Sequence, residues 1–585
     1  MERNAFLINR KIHQYILPGV LMTVAMQLGN VVDGMIVGNL LGADAMAAIE
    51  ISMPVLLLLQ MPAMMLAMGG AAEAAVLLGK RDMEKAGGVF SASLAAGIVV
   101  ALIFALFTPF LPHPLALALS GNEALAALAE PYIMVNFGGI PILTVAIIFC
   151  YFMNADNHPQ LGSALFIIAN VVNLVLDFVF ISGFHMGMAG SALSTVVGYL
   201  VGMVTVVLYF RSGQRMLRLQ KLGKHTIEYV GLAAKAGIPS AAFTLMSALK
   251  SVIINSAIVR ILGNDAMAIY SVCANAVLIA ELCVGGIIGL IQNIAGILYG
   301  ERDYYGIRVL CKRVLAYSYF AIAALLLVFL AVPQVIAGLF GITEGNMLVL
   351  CKMALRIFAC CFPFYVYNKF LMSYYQTILQ PGLSTVITVL QGFLVIVPLT
   401  LAGIFVWGLT GVCLMAVASE AVTILAGSLY RIWGQRRGKF EAGGVYMLPK
   451  VVDEKFLDCS VGNNLDEVIA FREKLLLFCA DNQITERHAK TLGFAVEELA
   501  ANIVQYGYRS DQQNYMDISF TIQDNKYLLR IRDDGIPFNP LEYQDQETEA
   551  DVTLGGIALL KKMALDFQYM RVLNMNNTVI ELNIT

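Results

Sequence analysis

The stretch LGADAMA at residues 41–47 returns as LGNDAMA at residues 262–268, at an offset of 221 residues. Other landmarks keep this offset in pairs: Pro18 with Pro239, Gly79 with Gly300, Gly187 with Gly408, and Gly190 with Gly411. Several echoes in register over about 200 residues indicate a duplicated unit. We expect one copy at residues 1–221 and the other at residues 222–437.

The composition indicates a membrane protein. Of the 585 residues, 59% are hydrophobic and only 14% are charged, whereas a soluble chain carries about 25% charged residues. The apolar runs at 89–111 and 314–332 are long enough to cross a hydrocarbon core about 30 Å thick. We therefore exclude a soluble protein and expect several spans.

Each copy contains six apolar segments of membrane length. The predicted spans are 14–38, 46–78, 88–111, 127–153, 161–182, 189–211, 232–260, 266–299, 310–340, 350–378, 383–405 and 409–432. Because six is an even number, the copies have parallel topology and an axis along the membrane normal should relate them. The predicted fold is thus an α-helical polytopic protein with twelve membrane helices in two six-helix lobes, followed by a soluble domain.

The loops predict the orientation. Lys and Arg are concentrated before span 1, after spans 2, 8 and 12, and between the copies, whereas the alternate loops contain almost none. Positively charged loops stay in the cytoplasm. Both termini are therefore predicted to be cytoplasmic, in a multi-pass protein of the cell membrane.

From residue 447 the composition is that of a soluble domain. We expect a linker at 438–450 and a cytoplasmic domain at 451–585. Its periodicity predicts three helices and four strands, with a turn at 524–525 and an acidic loop at 539–551. The predicted helices are 466–482, 486–506 and 556–565, and the predicted strands are 514–523, 527–533, 567–573 and 577–583. This is an α/β sandwich large enough for its own core.

Span 1 contains Asp33, and span 5 contains Asn170, Asn173 and Asp177, whose spacing puts them on one helix face. Charges within spans usually face a cavity or a partner. Carboxylate and amide oxygens suit a hard cation or an exchangeable proton. The alternative is hydrogen bonding between helices.

The second copy differs from the first at these positions. Ile254 and Pro398 stand where the first copy has Asp33 and Asp177. The charged residues of its spans are Lys250, Glu281, Arg356, Lys369 and Glu420. A Lys250–Glu281 or Lys369–Glu420 pair would be neutral, and two roles stay open for it: a purely structural one, or contact with substrate or a gate. The ion site is therefore expected in the first copy.

Three stretches carry a family resemblance: NVVDGMIVGNLLGADAMAAI at 30–49, NVVNLVLDFVFI at 170–181 and GMAGSALST at 187–195. With the two six-span copies, residues 10–435 resemble the multidrug and toxic compound extrusion (MATE) transporters. The resemblance implies a cell-membrane antiporter that couples H⁺ or Na⁺ to export of organic, cationic or amphipathic compounds. It implies no nucleic acid partner. The implied ion site is Asp33, Tyr132, Asn173, Asp177 and Thr195.

The soluble domain contains two polar motifs. Glu498 and Asn502 lie four residues apart in AVEELAANIVQYGY, where a carboxylate beside an amide oxygen that holds Mg²⁺ suits ATP chemistry. Asp533 and Gly535 follow in LLRIRDDGIPFNP. An Asp at a strand end can accept a hydrogen bond from the adenine amino group, and Gly lets the base approach the backbone.

A third motif follows the acidic loop. Gly555 and Gly556 open a helix whose N-terminus can meet phosphates. Each motif alone is ordinary, since a Glu–Asn pair four apart is usually a solvated helix face. The three motifs in this order are far more specific.

Together they resemble the Bergerat-fold ATPases, in particular the serine kinases that act as anti-sigma factors. The resemblance implies ATP and Mg²⁺, with Glu498 as general base, Asn502 as Mg²⁺ ligand and Asp533 as adenine contact. Pro537 and Leu554 stand where the family has glycines. No phosphoacceptor His helix precedes the domain.

These features favour a secondary transporter with an ATP-sensing or kinase-like tail that has a protein target. Two alternatives stay open. One is a membrane-tethered signalling kinase whose membrane half is a sensor, and the other is a flippase for a lipid-linked substrate. Twelve spans and the acidic residues of the first copy favour the transporter.

Overall fold

A computed structural model describes residues 2–120, 123–213, 215–340, 342–343, 345–440, 443–449, 455–508, 513–523, 526–542 and 555–583. Within these ranges, the side chains at 26, 28, 30–35, 38, 43, 46, 47, 50, 523 and 555 are not described. The chain divides into two compact units. The membrane unit is Gln14–Phe440, and the tail unit combines Met1–His13 with Glu441–Thr585.

The membrane unit is built of helices. They are α1 Phe6–Leu41, α2 Ala43–Gly79, α3 Met83–Leu106, α4 Pro112–Ser120, α5 Glu123–Ala155, α6 Pro159–Asp177, α7 Gly187–Gly202, α8 Val204–Arg211, α9 Thr226–Leu262, α10 Asn264–Leu290, α11 Gly296–Gly300, α12 Tyr304–Ala331, α13 Pro333–Leu339, α14 Gly345–Ala359, α15 Phe362–Thr377, α16 Pro381–Val389 and α17 Ile396–Arg436. Three π-helical segments, Phe178–Gly183, Ile291–Ala295 and Leu390–Leu394, continue α6, α10 and α16.

Among the described residues, nine helices are long and apolar enough to cross a membrane, and the bent pair α14–α15 makes a tenth. Helix α1, with 36 residues, covers predicted span 1. The 56-residue helical stretch Pro381–Arg436 would be about 84 Å long if straight. It breaks at Gly408, where φ is 58° and ψ is −135°. With α1 added and this stretch divided, the helices account for the twelve predicted spans.

The internal repeat is visible in the backbone. Left-handed φ values recur at equivalent positions: Gly42 and Gly263 (93° and 87°), Arg81 and Arg302 (67° and 59°), and Gly187 and Gly408 (56° and 58°). The helices after the second span of each copy also share a cap, because Asp82 accepts from Lys85 N and Asp303 accepts from Gly306 N. The two copies therefore have the same local conformation although their sequences have diverged.

The repeat-related glycines Gly79 and Gly300 touch each other. A Cβ built at either one would lie 2.9 Å from the Cα of the other, and 2.1 Å from the carbonyl oxygen of Ile297 or Val76, respectively. Such reciprocal contact is what a two-fold axis through this point produces. The axis relating the copies therefore passes between α2 and α11.

The tail unit has a five-stranded antiparallel sheet in the order β1-β2-β3-β5-β4. Its elements are β1 Phe456–Gly462, α18 Leu465–Asp481, α19 Glu486–Tyr506, β2 Tyr515–Gln523, β3 Lys526–Asp533, α20 Gly555–Met563, β4 Asp566–Val572 and β5 Met575–Asn583. Apolar side chains of α18 and α19 pack with those of the sheet in one core, which includes Phe471, Leu475, Val496, Ile518, Leu529 and Ile580.

The helical membrane unit and the α/β tail are confirmed, with two additions. Strand β1 was not among the four predicted strands, and its alternation of buried and exposed residues is weak. Helix α1 begins at Phe6, well before predicted span 1, and its first residues belong to the tail unit. The predicted turn at 524–525 and residues 543–551 of the acidic loop lie outside the described residues.

Candidate functional site

Asp177, the last residue of α6, is fully buried in the first copy. Ser194 Oγ donates a hydrogen bond to its Oδ1. Asn173 Nδ2 lies 2.9 Å from Ser194 Oγ and 3.1 Å from Thr195 Oγ1. These four residues, which we call the N-lobe polar cluster, join α6 to α7. The π-helical turn Phe178–Gly183 that follows Asp177 is a feature often found at functional sites.

Tyr132 lies on α5 and is buried. It belongs to the same apolar cluster as Ala192 and Val196 of α7. The predicted tyrosine and the helix that carries Ser194 and Thr195 thus contribute to one apolar cluster of the first copy.

Asn170 contacts α1 rather than the N-lobe polar cluster. Its Nδ2 donates to Ala25 O at 2.9 Å, and seven residues earlier Ser163 Oγ donates to Pro18 O at 2.8 Å. Both contacts join residues 145 positions apart, so α1 and α6 run parallel in a constant register. At Asn170 the observed geometry is hydrogen bonding between helices.

The same register indicates where residue 33 lies along α1. Residue 33 is helical, but its side chain is not described. Continued along two parallel helices, an offset of 145 puts position 33 level with Phe178, directly after Asp177. This register would bring the two carboxylate-bearing positions to nearly the same height on neighbouring helices.

In the second copy, Lys369 pairs with Glu281. Lys369 Nζ lies 3.0 Å from Glu281 Oε1 and 5.2 Å from the centre of the Phe243 ring. Tyr365 OH donates to Glu281 Oε2 at 2.6 Å. The carboxylate is thus neutralised within the protein by an ammonium group.

Glu420 is surrounded by amides. Asn368 Nδ2 donates to Glu420 Oε2 at 2.7 Å, and Gln391 Nε2 lies 2.8 and 3.0 Å from its two oxygens. The sequence had offered two ion pairs, Lys250 with Glu281 and Lys369 with Glu420. The structure instead pairs Lys369 with Glu281.

In the tail, Glu498 and Asn502 lie one turn apart in the C-terminal half of α19. Asn502 Nδ2 donates to Glu498 Oε1 at 3.3 Å, which leaves the amide oxygen for a cation. A Cβ at Gly556 would lie 2.3 Å from the Glu498 carboxyl carbon. The N-terminus of α20 therefore lies directly against this carboxylate.

Asp533, at the end of β3, is held by two donors. Its Oδ1 accepts from Gly535 N at 2.8 Å and from Asn576 Nδ2 at 2.9 Å. Ile536 N donates to Gly507 O at 2.8 Å, just beyond the end of α19. The Asp533 loop is thus tied to the helix that carries Glu498 and Asn502.

Burial changes the acidity of both tail carboxylates. It raises the pKa of Asp533 to about 6, against the opposing effect of the Gly535 and Asn576 hydrogen bonds. It also raises the pKa of Glu498, which the hydrogen bond from Asn502 partly offsets. A raised pKa improves a carboxylate as a general base.

The donor set fits an adenine nucleotide with Mg²⁺. Asn502 offers an amide oxygen of the kind that Mg²⁺ accepts alongside phosphate and water. The α20 N-terminus suits phosphate, and buried Asp533 offers an acceptor for the adenine amino group. Gly555 opens α20, but its surroundings lie outside the described residues.

Sequence reasoning missed two of these residues. Ser194 directly precedes Thr195 in GMAGSALST, so the same motif could have indicated it. Asn576 lies 43 residues after Asp533 on another strand. Only the pairing of β3 with β5 brings it there.

Comparison with known proteins identifies the membrane unit. The MatE family model matches residues 18–179, the segment that contains Asp33, Tyr132 and Asp177. The chain carries a MATE family domain. It is 23% identical over 415 residues to the multidrug export protein MepA of Staphylococcus aureus, a match that covers 71% of this chain and 91% of MepA.

Solved structures show the MATE transporter fold. An outward-facing multidrug resistance MATE transporter of the MOP superfamily has a TM-score of 0.66 at 18% identity and covers 75% of this chain and 98% of its own. A Pyrococcus furiosus MOP superfamily transporter, whose binding pocket is described as reversed in polarity, has a TM-score of 0.66 at 18% identity, with coverage of 73% and 97%.

The tail has a family match of its own. The model for the histidine kinase-like ATPase domain matches residues 461–583, from the end of β1 to the end of β5. The chain therefore combines a MATE family domain with an ATPase-like domain.

Proposed function

We propose that this protein is a cation-coupled exporter of small organic compounds, that its tail binds ATP and regulates transport, and that it has no nucleic acid partner. The coupling ion is H⁺ or Na⁺, and the exported compounds are cationic or amphipathic. MepA, a multidrug export protein, supports the substrate class. The proposed ion site comprises Asp33, Tyr132, Asn173, Asp177 and Thr195, with Ser194 added by the structure and Asn170 fixing the register of α1.

The parallel register of α1 and α6, which would bring positions 33 and 177 to nearly the same height, is the observation that supports the proposal. Two carboxylates in an apolar lobe are costly unless they are neutralised. The predicted spans of the first copy contain no Lys, and their single Arg, Arg211, lies at the last position of span 6. A proton or Na⁺ is therefore the natural source of the missing positive charge.

A site of this kind can drive export if its ion affinity differs between the inward- and outward-open states, because a ligand shifts an equilibrium only by its differential affinity. Entry of the ion down its gradient then favours one state, and substrate binding favours the other. The Lys369–Glu281 pair and Glu420 are proposed to contact substrate or to control opening.

Asp33→Asn and Asp177→Asn should each abolish gradient-driven efflux without preventing membrane insertion, because each removes a charge that the ion must balance. The measurement is dye efflux from proteoliposomes under separate Na⁺ and pH gradients, which also identifies the ion. Asp265→Asn, at an exposed carboxylate in the second copy, serves as the control.

Normal efflux by both variants would reject the proposed ion site. Unchanged efflux accompanied by altered phosphorylation of a partner protein would favour the signalling-kinase alternative instead.

For the tail, we propose that Asp533 accepts the adenine amino hydrogen bond and that Gly535 lets the base approach. Asn502 holds Mg²⁺, and Gly555 and Gly556 receive the phosphates. Bound Mg²⁺ would supply charge neutralisation for phosphoryl transfer. Glu498 would take the proton from an attacking hydroxyl group if the tail phosphorylates a protein target.

A further inference from the structure

The N-terminal segment Met1–His13 belongs to the tail unit, although more than 400 residues separate the two in sequence. Arg3 Nη1 donates to both carboxylate oxygens of Asp458 of β1, at 2.7 and 2.8 Å, and Arg3 Nη2 lies 3.0 Å from Asp517 Oδ2 of β2. All three side chains are largely buried, so removal of Arg3 would leave the two carboxylates buried without this positive charge.

The segment also covers the free edge of the sheet. Glu2 O accepts from Ser460 N at 3.4 Å, and Asn4 N donates to Ser460 Oγ at 3.0 Å. Phe6 packs against Tyr515 with the ring centres 5.1 Å apart. Since β1 is an edge strand, the segment protects backbone groups that would otherwise be open to pairing with another chain.

Two basic residues then reach the loop that follows Asp533. Arg10 Nη1 lies 3.1 Å from Asp534 Oδ2, and Lys11 Nζ lies 3.9 Å from the same oxygen. Lys11 Nζ also donates to Asn574 O at 3.2 Å. The side chains of Lys11 and Asp534 are only 4% and 2% exposed, so this contact is part of the folded core.

These contacts flank the proposed adenine contact on both sides. Asp534 directly follows Asp533, and Asn574 lies two residues before Asn576, which donates to Asp533. A ligand that orders Asp533 and Asn576 must therefore also affect the loop at Asp534 and the β4–β5 turn at Asn574, which Arg10 and Lys11 contact.

We propose that the N-terminal segment transmits nucleotide occupancy of the tail to the first membrane helix. Arg10 and Lys11 lie on α1, which continues without a break from Phe6 to Leu41 and includes position 33. The inference rests on the proposed binding of ATP to the tail and adds the route by which binding reaches the transport core. The coupling takes the form of a differential affinity of the nucleotide for two conformations of the transporter.

The test uses the full-length protein in proteoliposomes, with the non-hydrolysable nucleotide AMP-PNP on the tail side. In the wild-type protein, AMP-PNP should slow hydrogen exchange in residues 2–13 and change the rate of ion-driven dye efflux by about fivefold or more, the lower range of allosteric coupling. The variant Arg10→Ala/Lys11→Met should bind a fluorescent ATP analogue within about twofold of the wild type, while its efflux no longer responds to AMP-PNP.

Lys490→Met is the matched control, because Lys490 is an exposed cation of the same unit that pairs with Glu486 on α19. It should respond to AMP-PNP as the wild type does. If the double variant fails to insert, Arg10→Gln replaces it, because Arg10 is half exposed and its loss leaves no cavity.

The outcomes separate the two proposals. A nucleotide response that survives in the Arg10 and Lys11 variants, or exchange in residues 2–13 that ignores bound AMP-PNP, would overturn this inference and leave ATP binding intact. Failure of the wild-type protein to bind the fluorescent analogue would reject the nucleotide site, and the coupling with it.

Discussion

At the scale of single residues, burial of Asp533 favours its protonated form, whereas its proposed role as hydrogen-bond acceptor for adenine favours the carboxylate. Its carboxylate accepts two hydrogen bonds, yet burial still raises its pKa to about 6. Because the pKa in the folded state lies above the ordinary value, the folded tail takes up this proton more readily than the unfolded chain. The contribution of Asp533 to stability is therefore largest in acid and falls as the pH rises through about 6.

Nucleotide affinity should follow the opposite trend. Below about pH 6 the carboxylate is protonated and becomes a poorer acceptor for the adenine amino group, so affinity for a fluorescent ATP analogue should fall as the pH is lowered from 7.5 to 5. The Asp533→Asn variant should bind the ATP analogue far more weakly, and its affinity should no longer fall as Asp533 becomes protonated. At pH 7 its tail should unfold at the same temperature as that of the wild type or at a higher one. A pH profile unchanged by the substitution would refute the assigned role of Asp533.

At the scale of secondary-structure elements, paired glycines decide where the two copies meet. Gly79 and Gly300 are equivalent in the repeat and lie in direct contact. The short separation leaves no room for a side chain between α2 and α11, so contact here depends on both positions being glycine.

Gly79→Val should destabilise the membrane unit by about 1–3 kcal/mol, the usual cost of overpacking. A valine Cβ would lie only 2.1 Å from Ile297 O, and this backbone atom cannot move without shifting a helix. Thermal unfolding in detergent measures the effect. Gly138→Ala on α5 is the control because its added Cβ meets nothing within 4 Å, and equal melting temperatures for the two variants would disprove the close contact.

At the scale of the whole molecule, the proposed transport site and the proposed ATP site lie in different units. The proposed ion site lies in the membrane unit, whereas the nucleotide motifs lie in the tail, where Pro537 and Leu554 replace two motif glycines. An ion gradient is therefore the expected source of energy, and ATP the expected regulator.

Asn502→Ala should prevent Mg²⁺–nucleotide binding while ion-driven efflux continues, with its rate or regulation altered severalfold. The reason is that Asn502 contributes its amide oxygen to the nucleotide site and has no part in the ion site. Efflux from proteoliposomes with a full ion gradient, measured with and without Mg²⁺–ATP on the tail side, is the measurement, with Lys490→Met as control. Loss of all transport in folded, inserted protein would mean that ATP is the energy source.

The tail should face the cytoplasm. A cysteine introduced at exposed Lys490 should react with an impermeant maleimide in inverted vesicles but not in intact cells, once labelling of the parent protein is subtracted. Asn264→Cys, at the exposed start of α10 in a loop predicted to lie outside, should show the reverse. Labelling of the Lys490 position in intact cells would contradict the orientation inferred from the positively charged loops.

The sequence alone determined the duplicated architecture, the twelve predicted spans and the ATPase-like tail. It could do so because these depend on local and periodic signals: apolar runs of membrane length, an offset of 221 residues, and motifs on single helices and strand ends. Asn173, Asp177 and Thr195 came from such motifs, and the structure places them together.

Only the tertiary structure decided which distant polar groups meet. It joined Ser194 to Asp177, paired Lys369 with Glu281, put Asn576 on Asp533, and placed Arg10 and Lys11 on Asp534. These partners are 17 to 524 residues apart. A buried charge or polar group is stable only with a partner, and the sequence shows which residues need one. The packing of helices and strands determines which residue becomes that partner.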